Sequence, residues 1–380
     1  MGDEAPEPQT EAPGFAAELD RHLRSYRDGA FIEYARRWYS GDEVTGLADA
    51  LLAEMDRCGI PGHATVGLVA RNRVPHAAAA LGLIADGRPV TMIYSYQSPG
   101  SIGRDIETLA PAVVVADSED WTEPTVAAAR RTGCLGISLT LHPRLAAEVI
   151  APPSAEMLAR ASATRDAAGL HILSSGTTCP PKRTHLRIEV LRHTVTTMTM
   201  GATGCHRDPP ELVYWPFGSV GICQLLAAPF LDKRMVLLEK FSVEDWVRAV
   251  KTYRIRRAGV QPALLRMILD SGVPREDLAS LEYLPGGSGP LEPELREEFE
   301  RTYGIPLLWA YGATEFAGSV CAWTPEDHRL FGADKPRSVG RSLPGVHVRI
   351  VDRHDPDQRR RSHHRAAGHV RQPSAGEVCR

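Results

Sequence analysis

No apolar run in this 380-residue chain approaches the roughly 20 residues that a membrane-spanning helix requires, so no membrane function is expected. An excess of one charge is also missing. Forty-four Lys and Arg against 47 Asp and Glu leave a net charge of −3, which gives no footprint for nucleic acid or anionic lipid. Paired cysteines are absent too. Cys58, Cys134, Cys179, Cys205, Cys223, Cys321 and Cys379 are scattered, odd in number and form no Cys-x-x-Cys. That argues against zinc and a disulfide framework, and for a reducing cytoplasm. Residues 1–14 hold no apolar signal region, and their acidic, Pro-rich text reads as a disordered leader. No glycine-rich loop ends in Gly-Lys-Ser/Thr, so a Walker-type kinase or ATPase lacks its loop.

What is present is an ordinary globular composition, 43% hydrophobic and 24% charged, over a length that allows one large domain or two or three smaller ones. Phe15 to Trp38 is mixed and partly helical. The i, i+4, i+8 spacing of Leu47, Leu51 and Met55 predicts a helix over 45–57, stopped by Gly59 and Pro61. Strands are expected at 64–70, 90–93 and 111–116, with an Ala-rich helix over 74–86 between the first two. Strands and helices alternating at this spacing imply a parallel, helix-covered sheet.

A second α/β unit follows. A helix is expected over 184–200, strands at 211–216 and 235–239, and a helix from Ser242, with its Asp245 partner, to Tyr253. Then come a short strand at 257–261, a helix over 263–270, a strand at 281–284 and the turn Gly286-Gly287-Ser288-Gly289-Pro290. A charged helix to Tyr303 and a strand over 306–310 deliver Tyr311. Residues 353–380 change character, with seven Arg and four His against three acids and no apolar periodicity. They read as a disordered basic end or a segment out of frame; a nucleic-acid-binding tail is the sharper alternative, but the stretch lacks aromatics.

The chain is organised around residues 170–182. Leu170, Ile172 and Leu173 end a buried strand, and then polarity switches to Ser174-Ser175-Gly176-Thr177-Thr178-Cys179-Pro180-Pro181-Lys182. Small residues let backbone approach an anion, hydroxyls and N–H groups donate to phosphate oxygens, and lysine adds a compact charge. Taken alone, the stretch reads equally as a phosphate cradle or as a polar turn after a strand.

Ser175 to Lys182 matches all but one position of Ser-Gly-Thr-Thr-Gly-x-Pro-Lys, and Tyr311-Gly312-Ala313-Thr314-Glu315 matches Tyr-Gly-x-Thr-Glu. Two motifs in this order resemble the adenylate-forming superfamily of acyl-CoA synthetases, luciferases and peptide-synthetase adenylation domains, over roughly residues 40–352. The resemblance implies a layered α/β large domain, with two helix-covered sheets and a smaller β subdomain. It places that domain at 15–352, with subdomains near 40–165 and 166–340, and finds no counterpart of the small C-terminal domain. The turn Arg71-Asn72-Arg73 after the first strand fits the same pattern.

The activity so implied is ATP-dependent activation of a carboxylic acid as its acyl-adenylate, with coenzyme A or a carrier-protein thiol as acceptor. Ser174, Ser175, Gly176, Thr177, Thr178 and Lys182 would hold the β- and γ-phosphates. Gly287, Ser288 and Gly289 would line the adenine site with Tyr311 and Gly312. Thr314 would bond the α-phosphate, and Glu315 would bind Mg²⁺; Thr314, Glu315 and Lys182 are the catalytic candidates. Phe217, Gly218, Gly221, Gln261 and Gly312 are candidates for the acid pocket. No carboxylate stands in residues 214–221 to grip a substrate amine, which favours a neutral aryl or alkyl acid over an amino acid.

The sequence departs from the family at Cys179, where the pattern has glycine. A left-handed conformation there would cost Cys about 1–2 kcal/mol. A catalytic thiol would need a base, for which only His171 or His185 is near in sequence. The ribose-binding Thr-Gly-Asp and the lysine of the small domain have no match, and neither Arg341 nor Asp352 replaces them. The expected alternatives are therefore a ligase completed by a separate C-terminal chain, or a non-catalytic remnant serving as a nucleotide- or acid-binding scaffold.

Overall fold

The computed structural model describes residues 14–173, 183–199, 202–219, 221–349 and the short strand 369–371. Helix α1 (Phe15–Ser25) buries Phe15, Leu19 and Leu23 on one face. β1 (Ala30–Tyr34) and β2 (Arg37–Ser40) form a hairpin whose connecting residues, Ala35 and Arg36, both have positive φ. That geometry matches the right-handed strand twist, but its usual Asn-Gly signal is missing, so the hairpin is invisible in the sequence. α2 (Gly41–Arg57) starts four residues before the predicted Thr45. Ser40 accepts from the Glu43 N–H while the Glu43 carboxylate accepts from the Ser40 N–H, a reciprocal cap.

The alternation that follows builds the first sheet. β3 (Val66–Ala70), α3 (Val74–Ala85), β4 (Pro89–Tyr94), α4 (Pro99–Leu109), β5 (Val113–Asp117), α5 (Glu123–Thr132) and β6 (Leu135–Thr140) lead to an edge strand, β7 (Ala146–Ala151). After α6 (Ala155–Ala163) the chain returns to the opposite edge as β8 (Gly169–Leu173) and β9 (Arg183–Arg187). The order is β7-β6-β5-β3-β4-β8-β9, parallel except for the two edge strands. β3 is buried throughout, as a parallel strand covered on both faces must be. Residues 169–187 complete this sheet, so the expected subdomain boundary near 165 is not a sheet boundary.

α7 (Leu191–Thr199), β10 (Glu211–Val213), α8 (Gly221–Phe230) and β11 (Met235–Leu237) come next. Residues 183–187 are therefore strand, correcting the helix expected from Thr184. The second sheet is β10-β11-β1-β2, so the N-terminal hairpin joins strands two hundred residues away. Its side chains alternate between two cores. Val213, Met235 and Leu237 face the first sheet's core, and Leu212, Val236 and Leu238 face the core beyond it.

That outer core is closed by α9 (Val243–Tyr253), α10 (Pro262–Asp270), β12 (Leu284–Gly286), α11 (Pro293–Tyr303) and β13 (Leu307–Ala313). Ser242 caps α9 by accepting from the Asp245 N–H at 3.1 Å. The strand expected at 281–284 lies at 284–286. The strand expected at 257–261 reduces to bridges at Arg257 and Val260. β14 (Gly318–Ala322), α12 (Pro325–Phe331) and β15 (Arg341–Ser342) complete a third sheet, β12-β13-β14-β15. β16 (His347–Arg349) pairs in parallel with β17 (His369–Arg371). The rest of the leader and of the basic tail lies outside the described residues. Among those described, no helix is long and apolar enough to cross a membrane.

Candidate active site

The phosphate-loop candidates Ser174, Ser175, Gly176, Thr177, Thr178 and Lys182 lie outside the described residues, as does Cys179. The strands that carry them are fixed. β8 and β9 pair antiparallel up to Leu173 opposite Arg183, which defines where the connection leaves and returns. Below it the cross-strand rings of His171 and His185 stack at 4.3 Å. Burial and the neighbouring His185 and Arg183 push the His171 imidazole below its ordinary value, Asp166 opposing.

β9 also lies against the turn Thr314–Phe316, so the exit of the first motif meets the second. Tyr311 stands within β13 rather than after it. Its half-buried ring packs with Val320 and Cys321 of β14, and burial pushes its phenol up. Gly312 is demanded by a close approach: a Cβ there would sit 2.3 Å from the Gly318 carbonyl oxygen and 2.7 Å from Ser319 Cα. The register shifts at this point, between Tyr311 and Gly312. The chain then turns through Thr314–Phe316, with Ala317 left-handed. The Thr194 hydroxyl of α7 donates to the Ala317 carbonyl at 2.6 Å and holds the turn from beneath. Glu315 is exposed and has no ion-pair partner among the described residues.

The glycine-rich turn comes in from the neighbouring strand. β12 and β13 are parallel, and β12 ends with Gly286 opposite Trp309 while β13 runs on through Tyr311 to Ala313. The Trp309 indole N–H donates to the Gly289 carbonyl at 2.8 Å. Ser288 is left-handed at φ 65°. Gly287, Ser288 and Gly289 thus emerge beside Tyr311 and Gly312, at the strand ends where open α/β sheets bind ligands.

The acid-pocket candidates divide. Gln261, half-buried, opens α10, and the Gly287 N–H reaches the carbonyl of its neighbour Val260. Gly218 is buried, and a Cβ on it would lie 3.3 Å from the Tyr94 ring. Phe217 is 0% exposed and belongs to the first core, with its N–H donated to Asn72 Oδ1 at 3.0 Å. Gly221 starts α8, buried against the Trp215 carbonyl. These last two pack the scaffold.

A polar cluster gathers around the turn Arg71-Asn72-Arg73. At the carboxyl ends of β3, β5 and β11, Arg73 binds Asp117 at 3.1 Å, Glu119 at 2.9 Å and Glu239 at 2.9 Å. Arg71 makes a bidentate pair with Asp120. Tyr34 donates to the second Glu239 oxygen at 2.7 Å, and Asn72 donates to the Trp215 carbonyl at 2.9 Å. Burial works to raise the Glu239 carboxyl, but hydrogen bonds from Tyr34 and Arg73 hold it below its ordinary value. Every Arg73 nitrogen is engaged, so this cluster fastens sheets together and leaves nothing for a ligand. A separate cavity of about 350 Å³ opens between α2 and the turn after β6; no motif residue lines it, and its Arg37 is already paired with Glu43.

Comparison with known proteins gives this geometry a context. A rice (Oryza sativa subsp. japonica) 4-coumarate–CoA ligase-like protein is 30% identical over 150 residues, 38% of this chain and 27% of the relative. The luciferin 4-monooxygenase of Photinus pyralis is 31% identical over 121 residues, 31% of this chain and 21% of that one. These matches span about a quarter of the relatives' length. Among solved structures, O-succinylbenzoate coenzyme A synthetase from Bacillus subtilis, determined with AMP, superposes with a TM-score of 0.70 at 18% identity. It covers 91% of this chain and 84% of that one. The model of the AMP-binding enzyme family matches residues 19–374, and the chain belongs to that family, within the adenylate-forming superfamily.

Proposed function

We propose that this chain contributes the large domain of an ATP-dependent, AMP-forming acid–thiol ligase acting on a non-amino aryl or alkyl carboxylic acid. The observation that carries the reading is the meeting of β9, the return strand of the phosphate loop, with the Thr314–Phe316 turn. ATP supplies the adenylyl group when bound, and Mg²⁺ draws charge from its phosphates. One exposed, unpaired carboxylate suits a cation that takes one or two protein carboxylates plus substrate phosphates, and Glu315 is such a group.

In this reading the half-buried Tyr311 offers its ring face to the adenine beside Gly287, Ser288, Gly289 and Gly312. The Thr314 hydroxyl donates to an α-phosphate oxygen. Ser174, Ser175, Gly176, Thr177, Thr178 and Lys182 hold the outer phosphates. The acid lies near Gly218 and Gln261, and coenzyme A or a carrier thiol accepts the acyl group. Asp117 and Glu239, which end β5 and follow β11, are both taken by Arg73 and so are not offered to a substrate amine.

The test is acid-dependent ATP–pyrophosphate exchange with pooled aryl, alkyl and amino acids. Exchange is expected with the aryl or alkyl pool, falling on the order of a hundredfold in Glu315→Gln. Silence from folded protein, alone and with a small C-terminal domain of the family added in trans, would overturn the ligase reading in favour of a nucleotide- or acid-binding scaffold.

A further inference from the structure

Two of the large side chains left exposed on this fold stand together beside Gly218. Tyr94 ends β4 at 36% exposure, and Tyr96, two residues on, is 37% exposed. Their ring centroids are 5.4 Å apart at 59°, so the two faces make an open corner instead of a stack. The corner is held in place. The Tyr96 hydroxyl donates to the Glu239 carbonyl at 3.1 Å, and Tyr94 Cδ2 lies 3.3 Å from where a Gly218 Cβ would be. Any side chain at 218 would press on the Tyr94 ring, so glycine is what lets that ring lie against the buried backbone there.

A cation completes the corner. Lys240 Nζ stands 5.6 Å from the Tyr96 ring centroid and has no carboxylate within ion-pair range among the described residues. Its neighbour Glu239 does not neutralise it, because that carboxylate is turned to Arg73 and Tyr34. Three strand ends therefore converge on one surface: β4 brings the tyrosines, β10 leads to Gly218, and β11 leads to Lys240. Aromatic rings prefer tilted or offset partners, which such a corner offers to a planar ring, and an unpaired ammonium suits its carboxylate.

We infer that Tyr94, Tyr96 and Lys240 are specificity-determining residues that select a planar aryl carboxylate at the exposed corner beside Gly218. The inference rests on the proposed placement of the acid near Gly218, and it narrows the substrate from aryl or alkyl to aryl. Tyr94 supplies the discriminating ring, Tyr96 the second wall, and Lys240 the charge.

The experiment is equilibrium binding of benzoate, cyclohexanecarboxylate and benzamide to the full chain, followed by ligand-observed NMR titration with thermal melts as the folding control. Benzoate should bind about fivefold more tightly than cyclohexanecarboxylate, the size of one good ring–ring contact. Tyr94→Leu should erase that preference and Tyr94→Phe should keep it. Lys240→Gln should weaken benzoate about threefold and leave benzamide unchanged. Equal affinities in the wild type, no benzoate binding, or a preference that survives Tyr94→Leu would overturn the inference. Ring-selective, Tyr94-dependent binding without pyrophosphate exchange would sink the ligase reading and leave this one standing. Exchange that ignores Tyr94 would do the reverse.

Discussion

His76 lies in the first turn of α3, 0% exposed, with neither ring nitrogen hydrogen-bonded among the described residues. Burial pushes its imidazole from 6.5 down to about 4; Asp117 and Glu239 oppose the shift while Arg73 and Arg71 reinforce it. The folded chain thus holds this ring neutral where the unfolded chain would protonate it. Its contribution to stability is complete above pH 6.5 and is lost as pH falls from there toward 4, by about 3 kcal/mol. Urea unfolding of wild type and His76→Leu at pH 7.5 and 5 checks this: the variant should gain on the wild type at the lower pH, and an unchanged difference would refute it. Gly312→Ala belongs to the same scale. Its Cβ would meet backbone of Gly318 and Ser319, so β13 and β14 must part at a cost of about 1–3 kcal/mol, measured by the same unfolding. The motif made Gly312 legible as a site residue. The strand contact that requires glycine was not legible, because it depends on a partner strand, β14, that the sequence reading did not resolve.

Among the elements, α7 shows how tertiary structure reverses a propensity. Threonine is a weak helix former, and α7 holds four of them, at 194, 196, 197 and 199. Yet Thr194 is the residue that secures the Thr314–Phe316 turn through the Ala317 carbonyl, and Thr197 packs where a Gly318 Cβ would stand. Thr194→Val keeps the shape and leaves that buried carbonyl without its donor. It should cost about 1–3 kcal/mol in thermal or urea unfolding. If the turn positions Glu315 as proposed, exchange activity should fall as well while Thr196→Val, on the exposed face, leaves both unchanged. The elements that were legible are those with a local cause: the buried run of β3, the Ala-rich α3, the Ser242 cap of α9. β9 was misread because Arg183 to Arg187 becomes a strand only by pairing with β8, and the β1–β2 hairpin because its turn uses Ala35 and Arg36.

At the scale of the molecule, the first two sheets are joined by chain crossings and by Arg73. The hairpin β1–β2 leaves the N-terminus to pair with β11, and β11 ends at Glu239, whose carboxylate returns to the β3–α3 turn through Arg73. No window of sequence holds this arrangement, since Arg73, Asp117 and Glu239 come from three separate strand ends; the turn Arg71-Asn72-Arg73 was visible as part of a pattern, but its carboxylate partners were not. The Arg73 side chain is 17% exposed, that of Asp117 5% and that of Glu239 29%, so these charges are largely withdrawn from water and depend on one another. Arg73→Met removes the cation and leaves the Asp117 and Glu239 carboxylates without it. Breaking a buried pair from one side costs about 3–5 kcal/mol, whereas replacing all partners by neutral groups of similar shape costs far less. Urea unfolding should therefore rank Arg73→Met as strongly destabilised, and the triple variant Arg73→Met, Asp117→Asn, Glu239→Gln as recovering a substantial part of the loss. If the triple variant is as unstable as the single one, uncompensated charge is not the cause. The sheets would then be held by the fit of Arg73's aliphatic stem and by the Asn72 hydrogen bonds to the Trp215 carbonyl and the Phe217 N–H.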